Sequence, residues 1–134
     1  MDAQATYLFT YGTLMRGFDN PFAERLHNNS VFEGTGHFPG MLYLISWYPG
    51  AIFDANALSN VHGEIYRLSP QEALLMELDD YEDVFEDENS SLYLRKTVAI
   101  TKENGGTVDC WVYLYNQPVS GLPLIEEGCF KRWG

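Results

Sequence analysis

Four segments of the chain alternate apolar and polar residues with a period near two and are rich in Val, Ile, Thr, Tyr and Trp. That period sends successive side chains to opposite faces of a strand, and these residue types fit a pleated, half-buried surface. The last two segments flank Asn104-Gly105, a pair that accepts the positive φ angles of a tight turn, so we expect a β-hairpin there. The pattern predicts strands at residues 6–10, 61–68, 92–101 and 107–115.

Two shorter strands and two helices complete the predicted elements. The strands are expected at residues 41–46 and near 51–53, on either side of a turn signal at Tyr48-Pro49-Gly50. Ser69-Pro70-Gln71-Glu72 is typical of a capped helix start, and three leucines then share one face, so this helix should end near residue 80 or 81. A shorter helix should begin at Asn20-Pro21, bury Phe22 and Leu26, and end near residues 27–29.

The order of these elements indicates the fold class. Strands stand before, between and after only two helices, without strand–helix–strand alternation, which predicts an α+β fold. In the predicted strand at 107–115 both faces carry apolar or aromatic residues, as in a wall of closed sheet that is covered on both sides. We expect one domain over residues 1–134, built as a small mixed, mostly antiparallel β-barrel with about two flanking helices.

Composition narrows the class of protein. The chain has 134 residues, 46% of them hydrophobic, which is enough for one ordered domain. Nineteen acidic residues against eight basic ones give a formal net charge of −11, which argues against nucleic acid or an anionic membrane as a partner. No apolar run approaches the roughly 20 residues that span a bilayer, and no leader pattern begins the chain, so we expect a cytoplasmic protein. In that compartment Cys110 and Cys129 should be free thiols.

The tetrapeptide Tyr11-Gly12-Thr13-Leu14 is the first candidate site, because it directly follows a predicted apolar strand. A Gly at a strand end lets the backbone approach a ligand closely, and successive N–H groups there can bind a carboxylate. Taken alone, the four residues are explained more simply as an ordinary turn.

An acidic segment is the second candidate, since eight of the twelve residues from 77 to 88 are Asp or Glu. Such a run is typical of a solvated surface, and it lacks the ligand spacing and central Gly of a calcium loop. Leu78, Tyr81 and Val84 are interleaved with the acids, so one carboxylate could be drawn inward beside apolar groups. Burial and neighbouring like charges both raise the pKa of a carboxylate, which lets it carry a proton near neutral pH.

Histidines and cysteines form the third set. His27, His37 and His62 show none of the close spacings of a metal site, and neither cysteine lies near a histidine in sequence. We therefore expect no metal and no cofactor. Cys110 lies on the apolar face of its predicted strand, which is typical of a core residue rather than a nucleophile.

Five short blocks follow one another within residues 6–115. They are Tyr11-Gly12-Thr13-Leu14, Tyr48-Pro49-Gly50-Ala51-Ile52, Val61-His62-Gly63-Glu64-Ile65-Tyr66, Leu78-Asp79-Asp80-Tyr81-Glu82 and Leu92-Tyr93-Leu94-Arg95. In this order and at these separations they resemble the gamma-glutamylcyclotransferase superfamily. The first and fourth blocks most resemble its gamma-glutamylamine cyclotransferase branch.

The resemblance implies a small β-barrel that releases 5-oxoproline from a γ-glutamyl compound and frees the attached amine. It implies that backbone N–H groups of Tyr11-Gly12-Thr13-Leu14 bind the α-carboxylate of the glutamyl group. Glu82 matches the catalytic glutamate of the family, and Tyr113 resembles a tyrosine that lines the substrate pocket. The chain departs from the pattern at Asp83, where many relatives have Gly.

The implied reaction is intramolecular, because the α-amine of the substrate attacks its own γ-carbonyl, and it therefore requires neither a covalent enzyme intermediate nor a metal. Glu82 would take a proton from the α-ammonium and deliver one to the departing amine. The expected partner is a small γ-glutamyl amine or γ-glutamyl amino acid. Two alternatives stay open: a non-catalytic ligand-binding barrel of the same fold, and a module that holds a basic partner on its acidic surface. The sequence determines neither the leaving amine nor the oligomeric state.

Overall fold

The computed structural model describes residues 6–68, 72–82 and 91–130. Within these ranges the chain forms six strands and two helices. In chain order they are β1 (Thr6–Thr10), α1 (Pro21–Asn28), β2 (Ser30–Leu44), β3 (Pro49–Phe53), β4 (Asn60–Leu68), α2 (Glu72–Tyr81), β5 (Tyr93–Lys102) and β6 (Thr107–Tyr115). Neither helix is long and apolar enough to cross a membrane, as far as the described residues extend.

Five of the strands close into a barrel. The order around it is β2, β4, β1, β6 and β5, and pairing of β5 with β2 completes the ring. Strand β3 lies outside this ring and pairs with residues 40–44 of β2. The β1–β6 pair is parallel, through Leu8 opposite Trp111, and the other pairs are antiparallel. The prediction of a mixed, mostly antiparallel barrel with flanking helices in an α+β fold is therefore confirmed.

The contact between β2 and β5 is a short seam that closes the barrel. Only two register pairs join these strands, Gly36 with Lys102 and His37 with Thr101. A Cβ atom on Gly36 would lie 2.7 Å from the carbonyl oxygen of Thr101, so a larger residue would push the two strands apart. Glycine at this position allows the ring to close.

Two apolar clusters lie on the two sides of the barrel wall. All five barrel strands contribute to the first cluster, which fills the interior and includes Phe9, Phe38 and Ile100. The second cluster joins the outer wall to the helices and includes Leu8 of β1 and Leu26 of α1. Adjacent residues of β1 thus point to opposite sides, as the period-two pattern requires.

Several predicted boundaries are confirmed and some are wrong. Strand β2 begins at Ser30, although the predicted strand began at residue 41. Residues 30–40 carry glycines and a proline, which hide the strand pattern. The turn that follows lies at residues 45–48, where the Ile45 N–H donates to the Tyr48 carbonyl, and Pro49 already belongs to β3.

The helices agree better with their predictions. The side-chain oxygen of Asn20 accepts the N–H of Ala23 and caps α1, with Pro21 as the first helical residue. Helix α2 ends at Tyr81 as expected, while its predicted cap at residues 69–71 lies outside the described residues. Cys110 and Cys129 are free, and the first is buried.

Candidate active site

A cavity of about 150 Å³ opens where the ends of β1, β3, β5, β6 and α2 converge. Its volume is comparable to that of a cavity known to hold one benzene molecule, so it accommodates a small head group rather than a large ligand. The residues that line it are Phe9, Thr10, Tyr11, Gly12, Thr13, Trp47, Tyr48, Pro49, Tyr81, Glu82, Leu92, Tyr93 and Tyr113.

The loop after β1 forms one wall of the cavity. The Met15 N–H donates to the Gly12 carbonyl at 3.1 Å and closes a turn. A Cβ atom on Gly12 would lie 3.0 Å from Cγ of Pro49, so Gly allows this loop to pack directly against the start of β3. The Asn20 side-chain amide donates to the Thr13 carbonyl at 2.9 Å and ties the loop to the start of α1.

A buried polar network holds the far end of this loop. The Glu64 carboxylate is 4% exposed and accepts both the Arg16 N–H and the Tyr66 hydroxyl, each at 2.8 Å. Nε2 of His27 lies 3.2 Å from the Tyr66 hydroxyl and donates to the Leu14 carbonyl at 2.8 Å. Because both backbone groups are held, the loop conformation is preorganised before any ligand binds.

Glu82 also lines the cavity and comes directly after α2. Its N–H donates to the Leu78 carbonyl at 2.9 Å, which continues the helical turn and fixes the backbone there. The neighbouring Tyr81 stacks on Phe22 of α1 with ring centroids 4.5 Å apart. Its hydroxyl lies 2.7 Å from Oγ1 of Thr13, so the loop and the helix end are bonded to each other beside Glu82.

The end of α2 is also anchored to the barrel. Arg95 of β5 donates to both carboxylate oxygens of Asp79, at 2.7 and 3.1 Å, while its guanidinium lies 4.4 Å from the ring centre of Trp111. The Tyr113 hydroxyl donates to the same carboxylate at 2.7 Å. This bidentate pair sets the position of the helix end, and with it the position of Glu82.

Three tyrosine hydroxyls near the cavity are already engaged with protein acceptors. Tyr11 donates to the Tyr113 carbonyl and accepts the Ala51 N–H at 3.1 Å. Tyr93 donates to the Pro49 carbonyl, and Tyr113 donates to Asp79. These phenols therefore present aromatic surface to a ligand, with their protons directed elsewhere.

Burial and the charge of Glu82 both act on these phenols. Burial raises the pKa of Tyr11 well above its ordinary value, the Glu82 carboxylate raises it further, and the Ala51 N–H lowers it. Burial is also the main cause of the raised pKa values of Tyr93 and Tyr113, and the Glu82 charge adds to both. The carboxylate is thus close enough to raise the pKa of several hydroxyls, which stay protonated at neutral pH.

The charge balance of the cavity restricts what it can bind. Among the described residues, its lining contains the Glu82 carboxylate and no Lys, Arg or His. A cationic group of a ligand would meet Glu82, whereas an anionic group would need backbone N–H donors instead of a basic side chain. The arrangement suits a small zwitterion.

The structure brings together most of the predicted site residues. Tyr11, Gly12, Thr13, Glu82 and Tyr113 all line this cavity, although they come from the loop after β1, the position directly after α2, and β6. Leu14 does not line it: its side chain is 1% exposed and packs in the helix-side cluster, because the loop turns inward at this point.

Single-residue reasoning missed the aromatic part of the wall. Trp47, Tyr48 and Tyr93 line the cavity, although no pattern around the single residues predicts them as site residues. Tyr48 and Tyr93 stand in the sequence blocks that carry the family resemblance, so those blocks held a signal for them. Trp47 is 69% exposed at the rim and had no such signal.

Comparison with known proteins identifies the family of the chain. The model of the family described as gamma-glutamyl cyclotransferase, AIG2-like, matches residues 8–132. The gamma-glutamylcyclotransferase family protein YtfP of Escherichia coli K12 is 34% identical over 121 residues, which cover 90% of this chain and 92% of that protein. Its solution structure gives a TM-score of 0.62 at 31% identity, over 92% of this chain and 95% of the other.

Two crystal structures share the fold. An AIG2-like protein of Mus musculus has a TM-score of 0.68 at 28% identity, with 92% of this chain and 88% of that chain covered. YkqA of Bacillus subtilis has a TM-score of 0.71 at 22% identity, and the match covers 96% of this chain and 40% of that chain. From the family match and the identity to YtfP, the chain belongs to the AIG2-like gamma-glutamyl cyclotransferase family.

Proposed function

We propose that this chain is a gamma-glutamyl cyclotransferase, which releases 5-oxoproline and a free amine from a γ-glutamyl compound. The observation that carries the proposal is the position of Glu82, which lines the same cavity as Tyr11, Gly12 and Thr13, a cavity sized for a small head group. The family of the chain supports the same reaction class.

The charge distribution supports one orientation of the substrate. The α-ammonium of the glutamyl group binds beside Glu82, the carboxylate that lines the described cavity. The α-carboxylate binds to backbone N–H groups of Gly12 and Thr13, because the described lining offers it no basic side chain. Leu14 contributes through its backbone position, since its side chain is buried on the helix side.

Proton transfer by Glu82 completes the reaction. The carboxylate takes a proton from the α-ammonium, and the freed amine attacks the γ-carbonyl carbon to form the five-membered ring. The bond between that carbon and the departing nitrogen then breaks as Glu82 delivers the proton to that nitrogen. The ring nitrogen gives a second proton to the Glu82 carboxylate, which passes it to the freed amine, so the amine leaves as an ammonium and the carboxylate is regenerated. Proximity is supplied by the substrate itself, so the protein has to fold the glutamyl chain and move these two protons.

The developing oxyanion on the γ-carbonyl is held by loop N–H groups in this proposal. The hydroxyl protons of Tyr11, Tyr93 and Tyr113 are bonded to protein acceptors, so these tyrosines do not donate to the substrate. Their rings line the cavity together with Glu82 and add apolar surface there, which strengthens the interaction of the carboxylate with the ammonium.

We assign the substrate to γ-glutamyl amines in particular. The cavity holds only the glutamyl head, so the leaving amine extends past Tyr48 and the exposed Trp47 at the rim. Aromatic faces there bind an alkyl chain and attract a cationic end group. The resemblance of the first and fourth sequence blocks to the gamma-glutamylamine branch supports the same substrate class.

The test is direct measurement of 5-oxoproline with a panel of γ-glutamyl amines, γ-glutamyl amino acids and glutathione. We expect 5-oxoproline to be released from compounds of the panel, with the highest kcat/KM for a γ-glutamyl amine. Binding that raises the melting temperature without any 5-oxoproline would contradict catalysis and favour the non-catalytic barrel. Salt-sensitive binding of a basic partner, with no response to any panel compound, would favour the interaction module.

A further inference from the structure

Two histidines and a glutamate meet on the barrel at the seam between β2 and β5. They are His37 of β2, His62 of β4 and Glu103, which follows β5. One ligating atom from each lies within 4.8 Å of the other two. Nδ1 of His37 is 3.2 Å from Oε2 of Glu103, and Nδ1 of His62 is 3.9 Å from the same oxygen.

Strand register produces this group, so sequence spacing could not reveal it. His37 and His62 are direct partners in the antiparallel β2–β4 ladder, and their ring centroids are 5.5 Å apart. The Glu103 N–H donates to the Thr35 carbonyl at 3.0 Å, which fixes this residue against β2. All three residues are therefore positioned by backbone hydrogen bonds.

The donor set and its spacing fit a transition-metal ion. Two imidazoles and one carboxylate are a common set for Zn²⁺, with a fourth position left for water. In a tetrahedral zinc site with bonds of about 2.05 Å, neighbouring ligand atoms are roughly 3.3 Å apart. Oε2 of Glu103 lies 3.2 and 3.9 Å from the two Nδ1 atoms, close to that value. Side-chain exposures of 26%, 42% and 50% leave the group accessible to an ion from solvent.

We propose that His37, His62 and Glu103 form a binding site for Zn²⁺ that clamps the seam of the barrel. The ion links β2 and β4 to the chain at the end of β5, beside the two register pairs that close the ring. Its role is to stabilise closure of the barrel, because it binds the folded arrangement and not the unfolded chain.

The site is separate from the candidate active site. His62 and Glu103 line a second cavity of about 260 Å³, together with Glu127, Cys129 and other residues. The described linings of the two cavities share no residue. The proposal therefore concerns stability and needs no step of the cyclisation.

The experiment uses the full chain without a histidine tag. ZnCl₂ is titrated calorimetrically into the parent, His62→Asn, Glu103→Gln and the control Glu33→Gln, and thermal unfolding is recorded with and without the ion. Glu33 lies on β2 but pairs with Arg67, so its replacement removes a carboxylate outside the site. We expect one Zn²⁺ per parent chain and a higher melting temperature, with affinity at least about tenfold weaker in the two site variants and unchanged in the control.

MgCl₂ serves as the ion control, because Mg²⁺ prefers oxygen ligands and should not raise the melting temperature. Glu103 is in an exposed turn, so its variant reports on the site even if His62→Asn fails to fold. Absence of zinc binding by the parent would show that the group is only an imidazole–carboxylate ion pair. Undiminished affinity in folded Glu103→Gln would place the ion elsewhere, and either result would overturn the proposal.

Discussion

The side chain of Glu82 shares its cavity with tyrosines whose hydroxyls donate to protein acceptors. Tyr113 is one of these tyrosines. The family resemblance assigned it to the substrate pocket, and its ring does line the cavity, but its hydroxyl donates to Asp79 at 2.7 Å. We therefore assign Tyr113 a positioning role at the end of α2 rather than proton transfer.

Tyr113→Phe should lower stability more than catalysis. The change removes a hydrogen bond to a charged carboxylate, which is worth about 1.5–3 kcal/mol, while the Arg95–Asp79 ion pair stays in place. We expect the urea midpoint to fall and kcat for 5-oxoproline release to drop by less than about tenfold, well short of the loss typical of a general acid–base residue. A kcat loss as large as that of a Glu82 variant, in a folded protein, would show that the hydroxyl acts on the substrate.

Individual site residues could be predicted where a local pattern identified them. Gly12 and Glu82 stand in blocks that resemble the family, and both line the cavity. Leu14 stands in the same block but points away, because Glu64 and His27 hold the loop in an inward turn. That turn depends on hydrogen bonds that span 48 and 13 residues of the chain, and no local pattern encodes it.

Among the elements, the start of α1 connects helix stability to the active-site loop. The Asn20 side chain accepts the Ala23 N–H at 2.8 Å as a helix cap and donates to the Thr13 carbonyl at 2.9 Å. The two functions use different atoms of one amide. They can therefore be separated by substitution.

Asn20→Ala should lose both functions, and Asn20→Asp only one. Alanine removes the cap, which costs about 1 kcal/mol of unfolding free energy, and it also frees the Thr13 carbonyl. Aspartate still caps α1 but cannot donate to that carbonyl, so stability should stay near the parent value. Urea denaturation and steady-state kinetics check this: both variants should raise KM, and only Asn20→Ala should lower the urea midpoint. A parent-like KM for Asn20→Asp would mean that this bond does not position the loop.

Elements with a regular pattern were predictable, and elements without one were not. The strand at Thr6–Thr10 and the helix that starts at Pro21 agree with their predictions because alternation and capping are local signals. Residues 30–40 of β2 were not predicted as a strand, since Gly34, Gly36 and Pro39 interrupt the alternation. These residues make sense only in the barrel, where Gly36 lets β2 approach β5.

At the scale of the whole molecule, burial of tyrosines predicts how stability depends on pH. Burial raises the pKa of Tyr11, Tyr66, Tyr93 and Tyr113, and nearby carboxylates raise all four further. An unfolded tyrosine has a pKa of about 10. Above that pH the unfolded chain loses protons that the folded chain retains, so the free energy of unfolding falls as the pH rises.

The buried tyrosines should therefore make their full contribution to the free energy of unfolding below a pH of about 10. That contribution should decrease progressively as the pH rises above this value. Phenolate absorbance during an alkaline titration checks the prediction. The more exposed tyrosines should ionise first, and the four buried ones should ionise together with loss of the circular dichroism signal of the fold. Ionisation of every tyrosine near its ordinary pKa, with the fold intact, would contradict the buried arrangement.

The barrel class was predictable, but the contacts made by its closure were not. Strand order and apolar patterning favoured a small closed sheet, and the β2–β5 pairing confirms it. The meeting of His37, His62 and Glu103 depends on register across that closed sheet. Because His37, His62 and Glu103 lie far apart in the sequence, they do not show the close ligand spacing that indicates a metal site. The sequence alone therefore predicts no metal.

The most direct test of the proposed catalysis compares Glu82→Gln with Asp80→Asn. Both changes remove one carboxylate near the end of α2, but Glu82 lines the cavity and Asp80 is exposed outside it. The measurement is 5-oxoproline release from the γ-glutamyl compound that the parent cleaves best, with the fold checked by circular dichroism. We predict that Glu82→Gln lowers kcat by about 10²–10⁴-fold while Asp80→Asn stays near the parent value. Near-parental release by folded Glu82→Gln would contradict the central role of this carboxylate.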